Sequence, residues 1–596
     1  MTLSQDSLAK RLLSVAFVFV FCFYIFKGII WFTFSVLGLY KSAWFGHLAE
    51  EGTFWLALGL GGYSAYIGLT SQKKAFGISP TSDTTATGQR VLQSVYTIKT
   101  RTRKIPYIHI TEPERGVLVV GGAGAGKSRS VIEPIIQQTI QQGHAGLLYD
   151  FKFPTLARVA TWAMHHTNTP RMMYYVNFED LTYSHRVNPL HPDTMPTQSH
   201  ADEYARAIMY NLKPEAIKKS DFWVDSAHSY LTALIWFLRE EYPQYCTLPH
   251  VMALAFQPTA DVVALLSTNL ETRGTVASLR ESVQSKAGNQ TAGVVATLQT
   301  ALRRINTKEI VWVLSGNDFT LDINDPARPK FVTLGNSPTL SATFSPVLAL
   351  LATVAIKQMN RLGKTPSAVI LDEAPTMFIP NFDQLPSTGR SNKIATVFGA
   401  QDISQIEDMY GRTKKDALLA NLNNQFFGRV GHRETAQYIS DIWGKQDVEQ
   451  RTQGESESNR NYQKTEGRSM AHSYVERNRV KMQDVLELKV GEFYGQLVNS
   501  DFSSFKAEID APEPGPIPEL NPVTRATTQA IKDNFAQIQA DIESLFTGRS
   551  PSNGQAQSPT TPRPTTPGST DGIPQPERNG HNLSNSQPLP GENLDF

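Results

Sequence analysis

GGAGAGKSRS, residues 121–130, leaves this chain few folds to choose from. Its glycines permit positive φ angles and let successive backbone N–H groups turn round a bound anion, which side chains would obstruct. Lys127 and Ser128 complete G-x-x-x-x-G-K-[ST]. Lys127 is expected to reach the β and γ phosphates of a nucleotide, and Ser128 to place its hydroxyl on magnesium. The flanks agree with that reading. "GVLVVGG" before it has the apolar run of a short buried strand, and "SRSVIEPIIQQTIQQG" after it the pattern of a helix, whose N-terminal dipole also favours phosphate. The expected ligands are ATP and Mg2+, held by Gly121, Gly122, Ala123, Gly124, Ala125, Gly126, Lys127, Ser128 and Arg129.

Further along, "AGLLYDF", "RMMYYVNF", "KFVTLGN", "SAVILDE", "ATVFGAQ" and "NQFFGRVG" read as buried strands alternating with helical patterns. The expectation is an α/β class, a parallel sheet with helices on both faces. Residues 188–318 break the alternation with helical stretches such as "FWVDSAHSYLTALIWFLREE", which predicts an all-α insertion. The nucleotide domain then divides into 76–187 and 319–510.

In "SAVILDEAP" four apolar residues end in Asp372 and Glu373, which puts both carboxylates at the carboxyl edge of a strand, where such sheets bind ligands. Asp372 is the expected second magnesium residue, and Glu373 the group that polarises the attacking water. Gln401 ends "ATVFGAQ"; on a strand beside the Asp-Glu strand its amide would sense the γ phosphate and move the helix that follows. Arg390, in the polar loop "PSTGRSNK", is either an ordinary surface arginine or one that reaches a neighbouring subunit's γ phosphate.

The ends differ from the middle. Leu12 to Phe34 is almost wholly apolar with Lys27 its one charge, and a second apolar run spans Phe54 to Leu69. Residues 1–75 therefore read as a membrane anchor of two helices. Lys10, Arg11, Lys73 and Lys74 flank them, which places both ends and the nucleotide site in the cytoplasm. Residues 548–596, with nine prolines between Pro551 and Pro590, lack the apolar content to fold alone. Between them, 511–547 reads as the linker "APEPGPIPELNP" and a helix striped by Ile531, Phe535, Ile538, Ile542 and Leu545. The 56 basic and 55 acidic residues leave a net charge of +1, so any nucleic-acid surface must be local. The cysteines, Cys22 and Cys246, offer no disulfide framework and no metal cluster.

The order of these motifs carries a resemblance. The P-loop, "YDFK" at 149–152, "RVNPL" at 186–190, "DFWVDSAHSYLTALI" at 221–235, "ILDEAP", "GAQDISQIEDMYG", "RETAQYISDIWG" at 433–444 and "RVKMQDVLEL" at 479–488 resemble the TraD/TraG group of coupling proteins from conjugative type IV secretion systems. The likeness runs from the two N-terminal apolar runs to about residue 505. It implies a RecA-like motor with an all-α insertion, a homo-hexameric ring, and ATP-driven export of relaxase-bound single-stranded DNA. Relaxosome proteins, secretion-channel components and the membrane are the implied partners, and a bacterial inner membrane the implied location. Position by position it implies phosphate and magnesium roles for Lys127 and Ser128, the Walker B pair for Asp372 and Glu373, the sensor for Gln401 and the trans arginine for Arg390. Family members often carry an acidic residue after Asp-x-Lys where Phe153 stands here, so Asp150 and Lys152 receive no role. Alternatives are a membrane scaffold that binds ATP to assemble, a chromosome pump of the FtsK type, and a receptor that exports protein alone.

A DNA channel would touch mainly phosphate. The polar stretch 450–481 carries Arg451, Arg460, Lys464, Arg468, Arg477, Arg479 and Lys481 with Tyr462 and Tyr474, interleaved with Glu; it reads either as a solvated flexible loop or as a DNA grip. Lys213, Lys218 and Lys219 near Trp223, with Arg280 and Lys286, form a second set, for which a charged outer face is the plainer reading.

Overall fold

The computed structural model describes residues 95–547, apart from 168–171, 220, 285–287, 461–462, 512–518 and 524–525, together with the two-residue strands Asp83–Thr84 and Arg90–Val91. The apolar runs 12–34 and 54–69, Lys286, Tyr462 and the tail 548–596 lie outside the described residues.

Tyr96–Lys99 (β1) and Tyr107–Ile110 (β2) pair as an antiparallel hairpin. The main sheet follows with Val117–Val120 (β3), Ala145–Asp150 (β4), Met172–Val176 (β5), Lys330–Gly335 (β6), Ser367–Leu371 (β7), Ile394–Ala400 (β8) and Asn424–Phe427 (β9). Each was legible as an apolar run. These seven pair in parallel, and every residue of β3, β4, β6, β7, β8 and β9 is buried, as expected for strands covered on both faces. The sheet is nevertheless mixed, which corrects the expectation of a parallel one. After a long ribbon, Lys445–Arg460 (β10) and Gln463–Asn478 (β11), the chain returns as Glu492–Gln496 (β12) and Ser504–Glu508 (β13), antiparallel additions at one edge. The order across the sheet is β13-β12-β9-β3-β8-β7-β4-β6-β5.

Glu133–Gln141 (α1) and Thr155–His165 (α2) cover one face. Ile132, Ile135, Ile136 and Ile140 meet Val117, Val119, Ile370 and Val397 there in a core that also takes in the β1–β2 hairpin. Between β5 and β6 the described elements are helical. They are α3 (Gln198–Leu212), α4 (Glu215–Lys218), α5 (Phe222–Glu241), α6 (Leu248–Ala255) and five more, α7–α11, from Thr259 to Leu314. The 19-residue α12 (Ser341–Met359) is the one described helix long and apolar enough to span a membrane; most of its apolar window is buried inside the protein, so it is a core helix.

The stretch 450–481, open between a flexible loop and a DNA grip, lies mostly within this ribbon. Its 16-residue strands pair in register from Lys445↔Asn478 to Arg460↔Gln463, a length of about 50 Å. Polar composition concealed it, because its two strands carry no apolar alternation.

The last described helix lies in the segment 511–547. After α13 (Leu385–Thr388), α14 (Ile403–Tyr410), α15 (Arg412–Asn421), α16 (Arg433–Ile442) and α17 (Met482–Leu486), the helix α18 (Thr528–Thr547) buries Ile538 and Ile542. Asn534 accepts hydrogen bonds from Arg186 at 3.1 Å and from Ser315 at 3.2 Å, and Asp541 lies 3.3 Å from His250 of α6. The stripe thus docks at home on the helical region. Contacts group residues up to Glu543 in one compact unit; of the second, from Ser544 onward, the described part is the last turn of α18.

Candidate nucleotide site

Parallel registers bring the carboxyl ends of the central strands to one edge. Ala400 lies beside Val120, Phe398 beside Leu371, and Tyr149 beside Leu371. The residues that follow, Gly121, Gln401, Asp372 and Asp150, therefore converge, although 245 residues separate Lys127 from Asp372 in the chain.

The loop after β3 turns through Gly124 at φ 75° and Gly126 at φ 95°, angles that favour glycine. A Cβ on Gly124 would meet nothing within 4 Å, so conformation, not space, calls for glycine there. Ala123 and Gly124 are exposed, leaving the outer wall of the cradle open to a ligand. The helix behind the loop does not start as a plain α-helix. Ser128–Ile132 form a π turn in which the N–H of Glu133 reaches the Ser128 carbonyl, a widening found often at functional sites.

Inside the cradle the Lys127 Nζ donates to the Gly121 carbonyl at 2.6 Å and to Glu373 Oε1 at 3.1 Å. Both side chains of this ion pair are buried, exposed by 5% and 9%. Ser128 Oγ donates to Asp372 Oδ1 at 3.2 Å. Burial, then the Glu373 charge, pushes the Asp372 carboxyl up to about 6, while Lys127 and Ser128 pull the other way. A divalent cation would complete the charge balance, and the hydroxyl and carboxylate are the hard oxygen donors it prefers. Among the described residues no cluster of three or more His, Cys, Asp or Glu forms a metal cage, so Mg2+ would rest on Ser128, Asp372 and the nucleotide's own oxygens.

Glu373 holds a left-handed backbone, φ 53° and ψ 49°, which costs a non-glycine residue roughly 1–3 kcal/mol. A partly buried chain of hydrogen bonds over-determines it. The Thr376 N–H and hydroxyl both donate to the Glu373 carbonyl, at 3.0 and 2.7 Å. With its proton so used, Thr376 accepts from the Tyr149 hydroxyl at 2.7 Å, and Tyr149 accepts from Asn336 Nδ2 at 2.7 Å. Sequence reasoning missed Tyr149, Thr376 and Asn336. Thr376 had a trace in the Glu-x-x-Thr spacing, but Tyr149 and Asn336 join only because β4 and β6 are neighbours in the sheet.

Gln401 follows β8, between β3 and β7. The Gly121 N–H donates to the carbonyl of Ala400, and Asp402 caps α14 through the Ser404 N–H, so Gln401 joins the P-loop to that helix. Arg129 is half-buried in the π turn.

Arg390 is elsewhere. It lies before the amino end of β8, so the length of that strand, about 23 Å, separates it from the phosphate edge. It is 55% exposed, and its guanidinium lies 3.6 Å from Glu112. Arg390 therefore cannot serve the P-loop of its own chain.

Asp150 is fully buried, and its oxygens accept the N–H groups of Lys152, Leu156 and Ala157 at 3.2, 2.8 and 3.0 Å. It caps α2, and burial pushes its carboxyl from 3.8 up to about 7 against the pull of those bonds. Asp150→Ala is expected to lower stability by about 1–2 kcal/mol through the lost cap. Because the native state keeps this proton to higher pH than the unfolded chain, the Asp150 contribution falls as pH rises from about 4 to about 7. Denaturation midpoints of Asp150→Asn at pH 5 and pH 7.5 should therefore differ less than those of the parent.

Lys218 pairs with Asp408 of α14 at 3.1 Å, both exposed, while Phe222 and Trp223 are 56% and 42% exposed at the start of α5. On the ribbon Tyr474 is 75% exposed, and Lys445 pairs with Glu476.

The family described as "Type IV secretory system Conjugative DNA transfer" matches residues 84–492. Among solved structures, the unbound bacterial conjugative coupling protein TrwBdeltaN70 is similar at 15% identity and TM-score 0.53, over 70% of this chain and 89% of that one. The plasmid coupling protein TrwB with the GTP analogue GDPNP matches at 15% identity and TM-score 0.53, over 69% and 89%. TrwB with ADP and Mg2+ matches at 16% identity and TM-score 0.51, over 67% and 86%. At these identities the likeness is one of fold. No curated protein matches the sequence.

Proposed function

Because the chain belongs to the type IV secretory system conjugative DNA transfer family, we propose that it is the membrane-anchored ATPase that couples a relaxase–DNA complex to a secretion channel. The observation that carries this reading is the buried Lys127–Glu373 pair beside Ser128 and Asp372, with Gln401 just past the end of the strand between them. A scaffold that bound nucleotide merely to assemble would need no such hydrolytic set.

The roles follow from charge and reach. Lys127 can turn from Glu373 to a β or γ phosphate, which leaves the Glu373 carboxylate free to accept a proton from water. Ser128 and Asp372 would hold Mg2+, whose chemistry is to draw charge from the phosphate oxygens. Gln401 senses the γ phosphate and passes its loss to α14 through the Asp402 cap. Arg390, facing away from its own P-loop, supplies its cation to the next subunit in a ring of six. The apolar runs 12–34 and 54–69 anchor the ring in the inner membrane with the motor in the cytoplasm.

The test is ATP hydrolysis by the full-length protein in lipid nanodiscs, with single- or double-stranded DNA at several salt concentrations. Turnover is expected to rise with DNA, to lose that stimulation as salt increases, and to fall about 10²–10³-fold in Lys127→Ala. Turnover indifferent to Lys127 would remove the motor reading.

A further inference from the structure

The sheet order gives the nucleotide site a direction. On one side of β3 stand β8 and β7, which end in Gln401 and in Asp372 and Glu373, and Lys127 leans that way onto Glu373. The terminal phosphate belongs on that side, so the nucleoside leaves on the other, toward β9 and β12. Two loops meet the P-loop there. After β9, the Gly428 N–H donates to the Val120 carbonyl and the Arg429 carbonyl accepts from the Gly122 N–H at 2.7 Å. Before β12, the Gly491 N–H donates to the Ala125 carbonyl at 3.1 Å, and the Gly491 carbonyl accepts from the Ile509 N–H at 2.9 Å. Gly491 has φ 85°, and a Cβ on Gly126 would stand 3.3 Å from its nitrogen, so this second loop lies against the phosphate-binding turn itself.

What these loops present suits a base. Val490 is 64% exposed although apolar, one residue from the contact with Ala125. Arg429 is exposed, and among the described residues it enters no ion pair. An exposed apolar side chain and a planar, weakly hydrated cation, each on a loop bonded to the P-loop, are groups against which a flat aromatic ring gains by burial and by stacking.

We propose that Val490 and Arg429 form the nucleoside side of the site, the wall on which the base of the bound nucleotide rests. The proposal depends on the nucleotide reading above. It assigns affinity for the base to loops more than 300 residues distant from the P-loop in the chain, and affinity for the phosphates to the P-loop itself.

Inorganic tripolyphosphate separates the two, since it carries the phosphates without a base. In titration calorimetry on the full-length protein, Val490→Asn is expected to weaken ATP about tenfold and leave tripolyphosphate within twofold. Arg429→Ala should also cost ATP more than it costs tripolyphosphate, whereas Val490→Ile should retain ATP affinity. Unchanged tripolyphosphate binding in the same sample shows that the P-loop of the variant is intact. Equal weakening of both ligands by Val490→Asn, or unaltered ATP affinity, overturns the proposal. Failure of the parent to bind either ligand, or indifference of both to Lys127→Ala, overturns the nucleotide reading instead.

Discussion

Replacing Arg390 by Ala is expected to lower ATP turnover about 10³–10⁵-fold, the range for removal of an arginine that meets transition-state charge from a neighbour, with little change in nucleotide affinity. The direction of the strands carries the argument. β8 runs parallel to β3, so a residue before Ile394 and a residue after Val120 stand at opposite edges of one sheet. An arginine acting in its own chain would need the other edge. Arg390 is also half-exposed and touches Glu112 only at 3.6 Å, so its loss leaves no buried charge and the fold should be unaffected. Mixing tests it. Rings assembled from Arg390→Ala and Lys127→Ala chains contain interfaces where an intact arginine faces an intact P-loop, and such rings should regain part of the turnover that neither variant has alone. A single isolated chain that hydrolyses at full rate without Arg390 would end the trans role.

Glu373→Gln should separate binding from hydrolysis, lowering turnover by about 10²–10⁴-fold while ATP still binds. The amide keeps the shape and, in principle, the left-handed turn held by Thr376, Tyr149 and Asn336, but it cannot take a proton. Two electrostatic effects favour retention of the nucleotide. Lys127, 5% exposed, loses its anionic partner and gains more from a phosphate. Asp372 loses the neighbouring charge that helps to push its carboxyl upward, so it ionises more readily for Mg2+. Tight ATP binding with turnover near background is the expected pattern, measured by calorimetry and phosphate release on the same preparation. Parent-level turnover would strip Glu373 of its role.

Much of this site was legible in the chain. Gly124, Gly126, Lys127 and Ser128 act through local backbone geometry, and the apolar runs before Gly121, Asp372 and Gln401 are strands because burial on both faces leaves no polar alternation. What failed to show was either polar or distant. The β10–β11 ribbon carries no apolar stripe, and the β1–β2 hairpin and the β12–β13 edge are four or five residues per strand, too short for a period to stand out. Asp150 precedes its helix by five residues, outside the usual cap spacing, so nothing in "YDFK" announced the buried cap that the structure has.

The division has a physical cause. Residue types fix φ preference, charge and burial tendency over a few neighbours, and these were enough to name a phosphate loop, an acidic strand end and the helices between. Which residues then meet is a matter of strand order and register, set by packing of whole faces over hundreds of residues. Only that packing put Glu373 on Lys127, ran the Asn336–Tyr149–Thr376 chain behind it, turned Arg390 to the far edge, and laid Val490 and Arg429 along the side of the loop where the sequence had no motif.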